Sequence, residues 1–347
     1  MTPTTGVPEV LARSRDTVAP AMRAAIERLA PDIRRLATYH FGWTDRDGRP
    51  SGAPGGKGIR PTLALLSAEA VWAEAGVGVP GAVAVELVHN FSLIHDDIID
   101  QDLERHHRPT VWSVFGIGPA IIAGDALETL AHQVLLEAAP VAGAAASATL
   151  AEATAAMISG QADDIAFEKR RDVGVDECTA MSAAKTGALL GCASSIGAVL
   201  AGAPAATVGA LRDFGRHLGL SFQAVDDLLG IWGDPARTGK PAGNDLRQRK
   251  KSMPVVSALA AGGDEAEELR ELLLGPAGGD EPLPPLDPEV VERAAYLVDA
   301  CGGREWTTVR AKAHLDAALG ALERVRISAV PHRQLADLAV YVVERES

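Results

Sequence analysis

The chain has 347 residues, of which 47% are hydrophobic and 4% aromatic, and its formal net charge at pH 7 is −13. This acidic balance excludes nucleic-acid binding through a general basic surface, but it leaves room for a local basic pocket that binds an anion. The N-terminal sequence lacks the apolar centre of a signal peptide, and no uninterrupted apolar run is long enough to span a bilayer, so we expect a cytoplasmic protein without a membrane span.

Apolar residues recur at three- and four-residue spacing along most of the chain, and the strict alternation typical of β-strands is almost absent. The first amphipathic helix is predicted over residues 18–40, after a segment, 1–17, that is expected to be mobile. The Gly/Pro-rich loop that follows ends at Pro61, a favourable first helical residue. Helices then follow one another to about residue 260. Residues 262–288 are predicted to form an exposed linker with one short helix, after which helices continue to the end.

These patterns predict a single all-α domain over residues 1–347. Short breaks between the helices indicate a large helical bundle with many antiparallel neighbours. The abundance of Ala and Leu favours closely packed helices over sheets.

Carboxylates cluster at the end of the largely apolar stretch SLIHDDIIDQD, which begins at Ser92. Residues four apart share a helix face, so Asp96 and Asp100 lie together with Asp97 nearby. His89 falls on the same stripe. Like charges at this spacing repel, and carboxylate oxygens held this way suit Mg²⁺, which often shares its coordination with substrate phosphates. A solvated helix end is the alternative, which the preceding apolar run disfavours.

A second acidic pair ends the apolar helix in QAVDDLLGIWGD. Asp226 and Asp227 have Gln223 about one turn before them, and Asp234 lies past a predicted helix end. Two such clusters facing each other across a bundle cavity would hold a small set of magnesium ions between them.

Two segments carry the complementary positive charge. Residues 237–251 contain six Lys and Arg residues against Asp245 alone, a local charge of +5. In GGKGIRP, glycines allow close approach of the backbone to a ligand, Lys57 and Arg60 add charge, and the next helix begins at the same place. The spacing is not that of a P-loop. A solvated basic face and a simple flexible loop are the respective alternatives.

Taken together, these features predict two diphosphate sites. One is bridged by metals between the acidic clusters, and the other is metal-free at Lys57, Arg60, His89 and Arg105. Two diphosphates within one apolar bundle imply that two apolar tails are joined.

The chain resembles the trans-isoprenyl diphosphate synthase (polyprenyl synthetase) family, of the short-chain geranylgeranyl or farnesyl type, over about residues 20–345. The resemblance is carried, in order, by GGKGIRP, ELVHNFSLIHDDIID, RPTVW, SGQADDI, AKTGALL, FQAVDDLLGIWGD, TGKPAGNDLRQRKKSMPV and CGGREW. It implies an all-α bundle around a deep central apolar cavity, usually homodimeric. It also implies a prenyltransferase that condenses isopentenyl diphosphate with an allylic diphosphate.

In the implied reaction, Mg²⁺, typically three ions, assists ionisation of the allylic C–O bond, and the isopentenyl double bond attacks the carbocation. A proton is then lost to the departing diphosphate. The apolar cavity excludes the water that would quench the cation.

The same resemblance assigns the site residues. Asp96, Asp100 and Asp226 are the implied metal ligands, and Asp97 and Asp227 are implied to support them. The allylic diphosphate and its reactive end are assigned to Lys185, Lys240, Arg105, His106, Lys250, Thr186, Phe222 and Gln223. The isopentenyl diphosphate site is assigned to Gly56, Lys57, Arg60 and His89.

The chain departs from the family pattern at two positions. His106 stands where a second arginine is common, and a histidine is mostly neutral at pH 7, although Arg108 could substitute for it. Gly230 stands where a third Asp often follows Asp226 and Asp227, which leaves Asp234 as a further acid.

Product length should depend on Phe91, which lies five residues before Asp96, about 7.5 Å along the helix. An aromatic residue here resembles the short-chain members of the family, often those with a twenty-carbon product. We therefore expect geranylgeranyl diphosphate first and farnesyl diphosphate second. The alternative is that Phe91 is an ordinary core residue.

Two other functions remain as alternatives. A class I terpene cyclase would share the bundle and the first acidic motif, but NDLRQRKKS does not match the (N/D)Dxx(S/T)xxxE motif that such a cyclase needs. A non-catalytic or regulatory subunit of a heteromeric prenyl synthase should have lost its acidic clusters, and this chain keeps both.

Overall fold

The computed structural model of the protein describes residues 6–52, 56–234, 242–275 and 284–346. With 79% helix and 2% strand, it confirms the all-α prediction. Strands β1 (Glu104–Arg105) and β2 (Arg108–Pro109) pair in an antiparallel hairpin.

Within the described ranges the helices follow one another with short connections. In chain order they are α1 (Val7–Glu27), α2 (Pro31–His40), α3 (Ile59–Ala70), α4 (Ala75–Ile99), α5 (Val111–Phe115), α6 (Ile117–Ala138), α7 (Pro140–Lys169), α8 (Val175–Ser182), a π-helical turn (Ala183–Gly187), α9 (Ala188–Leu200), α10 (Ala205–Trp232), α11 (Asn244–Arg247), α12 (Met253–Ala260), α13 (Asp264–Leu274), α14 (Pro288–Ala300), α15 (Gly303–Glu323) and α16 (Ala329–Glu346).

The chain divides into two compact units. The first comprises Met1–Thr154, Leu189–Asp213 and Leu322–Leu338, and the second comprises Ala155–Ala188, Phe214–Ala321 and Ala339–Ser347. A single domain over residues 1–347 stays a prediction.

In the first unit, α4 packs against both α3 and α6. Its sequence is apolar on nearly every face, as expected for an interior helix, and Val85, Leu87 and Val88 are fully buried. The acidic residues at its C-terminal end therefore follow a buried helix, as predicted.

The N-terminal helices differ from the prediction. The structure is helical from Val7, so the segment 1–17 is not wholly without regular structure. Val7, Val10 and Leu11 lie on one face of α1 and are buried, which stabilises the helix. The helix predicted over 18–40 is interrupted after Glu27, and Pro31 begins α2 because proline suits the first helical position but not a helix interior.

The prediction that residues 262–288 form an exposed linker is wrong for the helix within this segment, α13. α13 presents acidic residues on one side, but Leu269 and Leu273 on the other side are buried together with Leu286 and Leu297. The three- and four-residue spacing of its apolar residues turns them towards the core of the second unit. Residues 276–283 lie outside the described part of the chain.

Three helical segments are long and apolar enough to cross a membrane by length and composition: Ala75–Ile99, Pro140–Lys169 and Val175–Leu200. This corrects the expectation that no such stretch exists. In the first and third, 61% of the apolar window is buried within the protein, so packing accounts for much of their apolar character.

Candidate active site

A cavity of about 340 Å³ lies in the second unit, between α7, the π-helical turn, the end of α10 and the segment from α11 to α12. Six of the predicted site residues line it: Lys185, Thr186, Gln223, Asp226, Asp227 and Lys250. The structure therefore brings together residues separated by up to 65 positions in the sequence. The lining also includes residues that the sequence did not single out for the site, among them Asp164, Asn244, Asp245 and Ser252.

A chain of hydrogen bonds fixes the polar wall of this cavity. Thr186 Oγ1 donates to Gln223 Oε1 at 2.8 Å, and Gln223 Nε2 donates to Asp227 Oδ1 at 2.8 Å. The other oxygen of Asp227 accepts from the backbone N–H of Met253 at 2.9 Å. Asp227 thus orients Gln223 and the first turn of α12, whereas its neighbour Asp226 is exposed.

Burial raises the pKa of Asp227 to about 7, because an enclosed carboxylate is poorly solvated. The hydrogen bonds from Met253 and Gln223 oppose this shift, and the nearby charges of Asp245 and Asp226 reinforce it. Asp227 and Asp226 therefore differ in environment even though they are adjacent in sequence.

Lys185 is presented by the π-helical turn Ala183–Gly187, a type of local widening that is frequent at functional sites. Its Nζ donates to Asp164 Oδ2 at 2.5 Å. Asp164 belongs to SGQADDI, one of the segments that carry the family resemblance. The ion pair holds the Lys185 ammonium group at the cavity wall.

The space beside Gly230 is filled by a residue from outside its own helix. A Cβ atom on Gly230 would overlap the Asp245 carboxylate, which therefore lies directly against the helix backbone where a side chain at position 230 would begin. The acid that the second motif lacks at this position is thus matched by an acid from α11, fifteen residues later. The sequence signal is weak, since nothing in NDLRQRK marks Asp245 as a neighbour of Gly230.

We expect Gly230→Ala to displace Asp245 and lower the unfolding free energy by about 1–3 kcal/mol, because the added methyl group overpacks the site. Urea unfolding measures this change. Gly209→Ala is a matched control in the same helix, since a Cβ there meets no atom within 4 Å, and it should be neutral or stabilising. Equal stability changes in the two variants would contradict this account.

In the first unit, Arg60 and His89 form the centre of a polar cluster. Arg60 Nη1 donates to His89 Nε2 at 3.1 Å, and the buried Nε of Arg60 has no hydrogen-bond partner among the residues that the structure describes. Burial lowers the pKa of Arg60, and the charge of Glu86 opposes this shift. A half-buried guanidinium whose enclosed Nε is an unused donor can bind an additional anion.

Arginine and histidine side chains surround His89. Burial lowers its pKa well below the ordinary value, and the charges of Arg60, Arg105, His40 and His106 add to the effect, so His89 is neutral at pH 7. These residues come from separate parts of the chain, and Arg60 and Arg105 give the first unit a local positive patch despite the net charge of −13.

Two further residues predicted for this site, Gly56 and Lys57, are exposed. The Lys57 charge contributes to lowering the pKa of His106, after burial, Arg105 and His107. Lys57 therefore lies near the same cluster, at its open side.

The first acidic motif ends α4. Asp97 is buried and accepts from Arg105 Nε at 2.7 Å, whereas Asp96 is half-buried and Asp100 is exposed. Burial raises the pKa of Asp97; Arg105 lowers it, and the charges of Asp102 and Asp100 raise it further. The three carboxylates thus divide into one that pairs with an arginine and two that lie one helical turn apart at the surface.

The amino-acid sequence of the chain matches the model of the polyprenyl synthetase family over residues 51–281. The chain belongs to the polyprenyl synthetase family.

Its relatives include two enzymes of Mycobacterium tuberculosis. A (2E,6E)-farnesyl diphosphate synthase is 45% identical, covering 97% of this chain and 93% of the relative. A geranylgeranyl diphosphate synthase is 40% identical, with the same shares covered. The crystal structure of a polyprenyl synthetase from Streptomyces coelicolor A3(2) is 52% identical and superposes with a TM-score of 0.91, covering 97% of this chain and 99% of that one.

These similarities confirm the prediction of a short-chain trans-isoprenyl diphosphate synthase with the all-α fold of that family. The protein is a prenyltransferase, and its substrates are isoprenoid diphosphates. Neither the cyclase nor the non-catalytic subunit is supported.

Arg108, the candidate substitute for a second arginine beside Arg105, donates to the backbone carbonyls of Tyr39 and Thr44 at 3.2 Å. It also lies over the Tyr39 ring, 4.9 Å from its centre. Arg108 therefore connects the last turn of α2 and the loop after it to the β1–β2 hairpin.

The described part of the basic run, residues 242–251, does not act as one surface. Arg249 donates to the carbonyls of Leu272 and Leu273 at the end of α13, which satisfies groups that a helix C-terminus leaves unpaired. Lys250 and Lys251 both line the cavity, and Lys251 Nζ also donates to the backbone carbonyl of Glu168 at 3.4 Å. Lys240, predicted as a catalytic residue, lies outside the described residues.

The two phenylalanines predicted for the site lie on α10 and α4. Phe222 precedes Gln223 on α10 and is half-buried, and Phe91 is buried on α4. Across the described ranges, no group of three or more His, Cys, Asp or Glu side chains is arranged to hold a metal ion.

His40 makes the stability of the synthase depend on pH. Its Nε2 lies 3.0 Å from Asn90 Oδ1, and burial, reinforced by nearby positive charges, lowers the pKa of His40 to about 4. The unfolded chain takes up this proton near pH 6.5 and the folded chain only near pH 4, so the unfolding free energy rises with pH between these values.

The unfolding free energy changes by about 1.4 kcal/mol per pH unit between the two pKa values. From pH 7 to pH 5 we therefore expect the unfolding free energy of the parent to fall by about 2 kcal/mol more than that of His40→Gln. Glutamine keeps a donor for Asn90 but has no proton to gain. Urea unfolding at both pH values tests this, and parallel pH profiles for the two proteins would show that His40 does not titrate as described.

Proposed function

We propose that this synthase elongates an allylic diphosphate with isopentenyl diphosphate to geranylgeranyl diphosphate, with farnesyl diphosphate as the second candidate. The cavity of the second unit supports this most directly, because it combines carboxylates, three lysines and oriented amide and hydroxyl groups. That combination suits a magnesium-bound diphosphate on one side and a developing positive charge on the other.

The allylic diphosphate is proposed to bind in this cavity. Lys185 and Lys250 supply positive charge to its oxygens, and the family resemblance assigns Lys240, Arg105 and His106 to the same ligand. Ser252 supports the same assignment, because its buried hydroxyl has no hydrogen-bond partner within the described part of the chain and lines the cavity. A phosphate oxygen or a metal-bound water would satisfy that hydroxyl.

Asp96, Asp100 and Asp226 are proposed to hold Mg²⁺. Their exposed or half-buried carboxylates are hard oxygen ligands, and Mg²⁺ is usually bound by one or two carboxylates together with waters and substrate phosphates. A geranylgeranyl pyrophosphate synthase from Corynebacterium glutamicum, 26% identical with a TM-score of 0.80, was crystallised with isoprenyl diphosphate and magnesium. Three ions per site is the number we propose.

Bound Mg²⁺ supplies Lewis acidity that draws the developing negative charge onto the leaving diphosphate. Around the reacting carbon, Asp227 fixes the Gln223 amide, whose oxygen accepts from Thr186, so both dipoles are oriented before the reaction. We propose that these groups and Phe222 stabilise the allylic cation. The proton lost after addition passes to the departing diphosphate.

Isopentenyl diphosphate is proposed to bind at Gly56, Lys57, Arg60 and His89. The unused Nε of Arg60 is the strongest support, since a diphosphate oxygen would satisfy a buried charged donor. Neutral His89 accepts from Arg60 and so orients the guanidinium towards the ligand.

The enzyme is proposed to be a cytoplasmic homodimer. On α6, Ile117, Ile121 and Ile122 are 52%, 42% and 54% exposed, which is unusual for large apolar side chains grouped on one helix. A second copy that covers this face would bury them.

Purified protein incubated with Mg²⁺, labelled isopentenyl diphosphate and each of the five-, ten- and fifteen-carbon allylic primers tests the function. Primer-dependent elongation, with a twenty-carbon main product, is expected. Release of a cyclic hydrocarbon would instead indicate a cyclase, and the absence of turnover would indicate a non-catalytic subunit.

A further inference from the structure

The side chain that was predicted to limit product length, Phe91, packs against a second ring. Phe91 is 8% exposed on α4, and its ring meets that of His95, one helical turn later. The ring centres are 4.9 Å apart and the planes are inclined by 75°, which is the favourable edge-to-face arrangement. The position of Phe91 is therefore coupled to that of His95.

His95 is in turn fixed by α6. Its Nε2 lies 3.2 Å from the backbone carbonyl oxygen of Ile121 and 3.8 Å from the Asp125 carboxylate. Because a carbonyl oxygen can only accept, Nε2 carries the proton. A residue of α4 is thus hydrogen-bonded to the backbone of the neighbouring helix.

Gly124 provides the space for this arrangement. A Cβ atom on Gly124 would overlap Nε2 and Cδ2 of the His95 ring, so any larger residue would force the imidazole away from α6. Gly124 lies within α6, where glycine costs about 1 kcal/mol relative to alanine. The glycine is therefore explained by the ring that it accommodates and not by the helix.

We propose that His95 is a positioning residue for product length: wedged between Phe91 and Gly124, it holds the Phe91 ring in place as the barrier to the growing prenyl chain. This inference rests on the proposed function and on the sequence-based prediction that Phe91 limits product length. When His95 is removed or displaced, Phe91 loses its edge-to-face partner and can turn aside, and the chain can grow further.

The test is the product-length distribution of Gly124→Ala and His95→Ala, measured by chromatography with the fifteen-carbon primer and excess isopentenyl diphosphate. We expect the ratio of products longer than the parent's main product to that product to rise at least tenfold in both variants. Gly118→Ala is the matched control, because a Cβ at this position of the same helix meets no atom within 4 Å. Its product distribution should equal the parent's.

A double-mutant comparison separates positioning from a merely structural role. Phe91→Ala should itself lengthen the product, and adding His95→Ala to it should give little further lengthening, because the two residues act as one barrier. Additive lengthening would show that His95 acts independently of Phe91, which overturns the proposal.

Failure of the inference and failure of the function give different results. If Gly124→Ala elongates primers but makes the parent's products, His95 does not position the barrier, whatever its effect on rate. If His95→Ala does not fold, the product lengths of Gly124→Ala alone test the proposal. The methyl group added at Gly124 displaces only the His95 imidazole, which can turn away. If the parent itself elongates no primer, the proposed function fails and the inference fails with it.

Discussion

Replacing Asp226 with asparagine is expected to reduce primer elongation by about a thousandfold, and Asp96→Asn should have a similar effect. Such a loss corresponds to about 4 kcal/mol of transition-state stabilisation. The physical reason is that an amide of the same shape cannot supply the negative charge that a magnesium ion requires. Steady-state elongation at saturating substrate, repeated at increasing Mg²⁺, measures both the loss and the weakened dependence on the metal.

Asp163→Asn is the matched control for this experiment. Asp163 is exposed on α7 beside Asp164 but does not line the cavity, so neutralising it changes the same net charge without touching the site. Its elongation rate should stay within about twofold of the parent's, because a change at an exposed site away from the substrate has little effect. Equal rates for Asp226→Asn and the parent, with both proteins folded by circular dichroism, would refute the magnesium assignment.

Arg60→Gln is expected to raise the KM for isopentenyl diphosphate by about a hundredfold, equivalent to about 2.7 kcal/mol, and to leave the KM for the allylic primer nearly unchanged. A half-buried guanidinium with an unused Nε binds a diphosphate oxygen through a charge-assisted hydrogen bond, and glutamine keeps only a neutral donor. Initial rates with each substrate varied in turn separate the two constants.

The specificity of this effect is its main test. Arg15→Gln removes an exposed arginine from α1 and should change neither constant. If Arg60→Gln raised the primer KM as much as the isopentenyl diphosphate KM, Arg60 would not belong to a separate isopentenyl diphosphate site.

The sequence alone was sufficient for the fold class, the family and the two acidic motifs. Helical periodicity is a local property, because residues three and four apart share a face whatever surrounds them. Asp96 and Asp100 could therefore be placed on one stripe of α4, and the apolar run before them correctly indicated an interior helix. The prediction of a mobile N-terminal segment was wrong for the converse reason. Val7 and Val10 are buried against residues distant in the sequence, which no local pattern reveals.

Residues distant in sequence had to be brought together by the fold. Asp245 lies against Gly230, His95 occupies the space left by Gly124, and Arg105 pairs with Asp97. Each contact joins residues from different helices or loops, so its existence depends on how closely two backbones approach. Spacing along one chain carries no such information.

The same division applies to the charges. The amino-acid sequence determined which groups are ionisable, and it placed six basic residues in the run at 237–251. Only the tertiary structure determines that Arg249 donates to the carbonyls at the C-terminus of α13, whereas Lys250 lines the cavity. It also determines that Asp227 is buried and Asp226 is exposed. Burial and hydrogen-bond partners set the free energy of a charge, and both are properties of the packed chain.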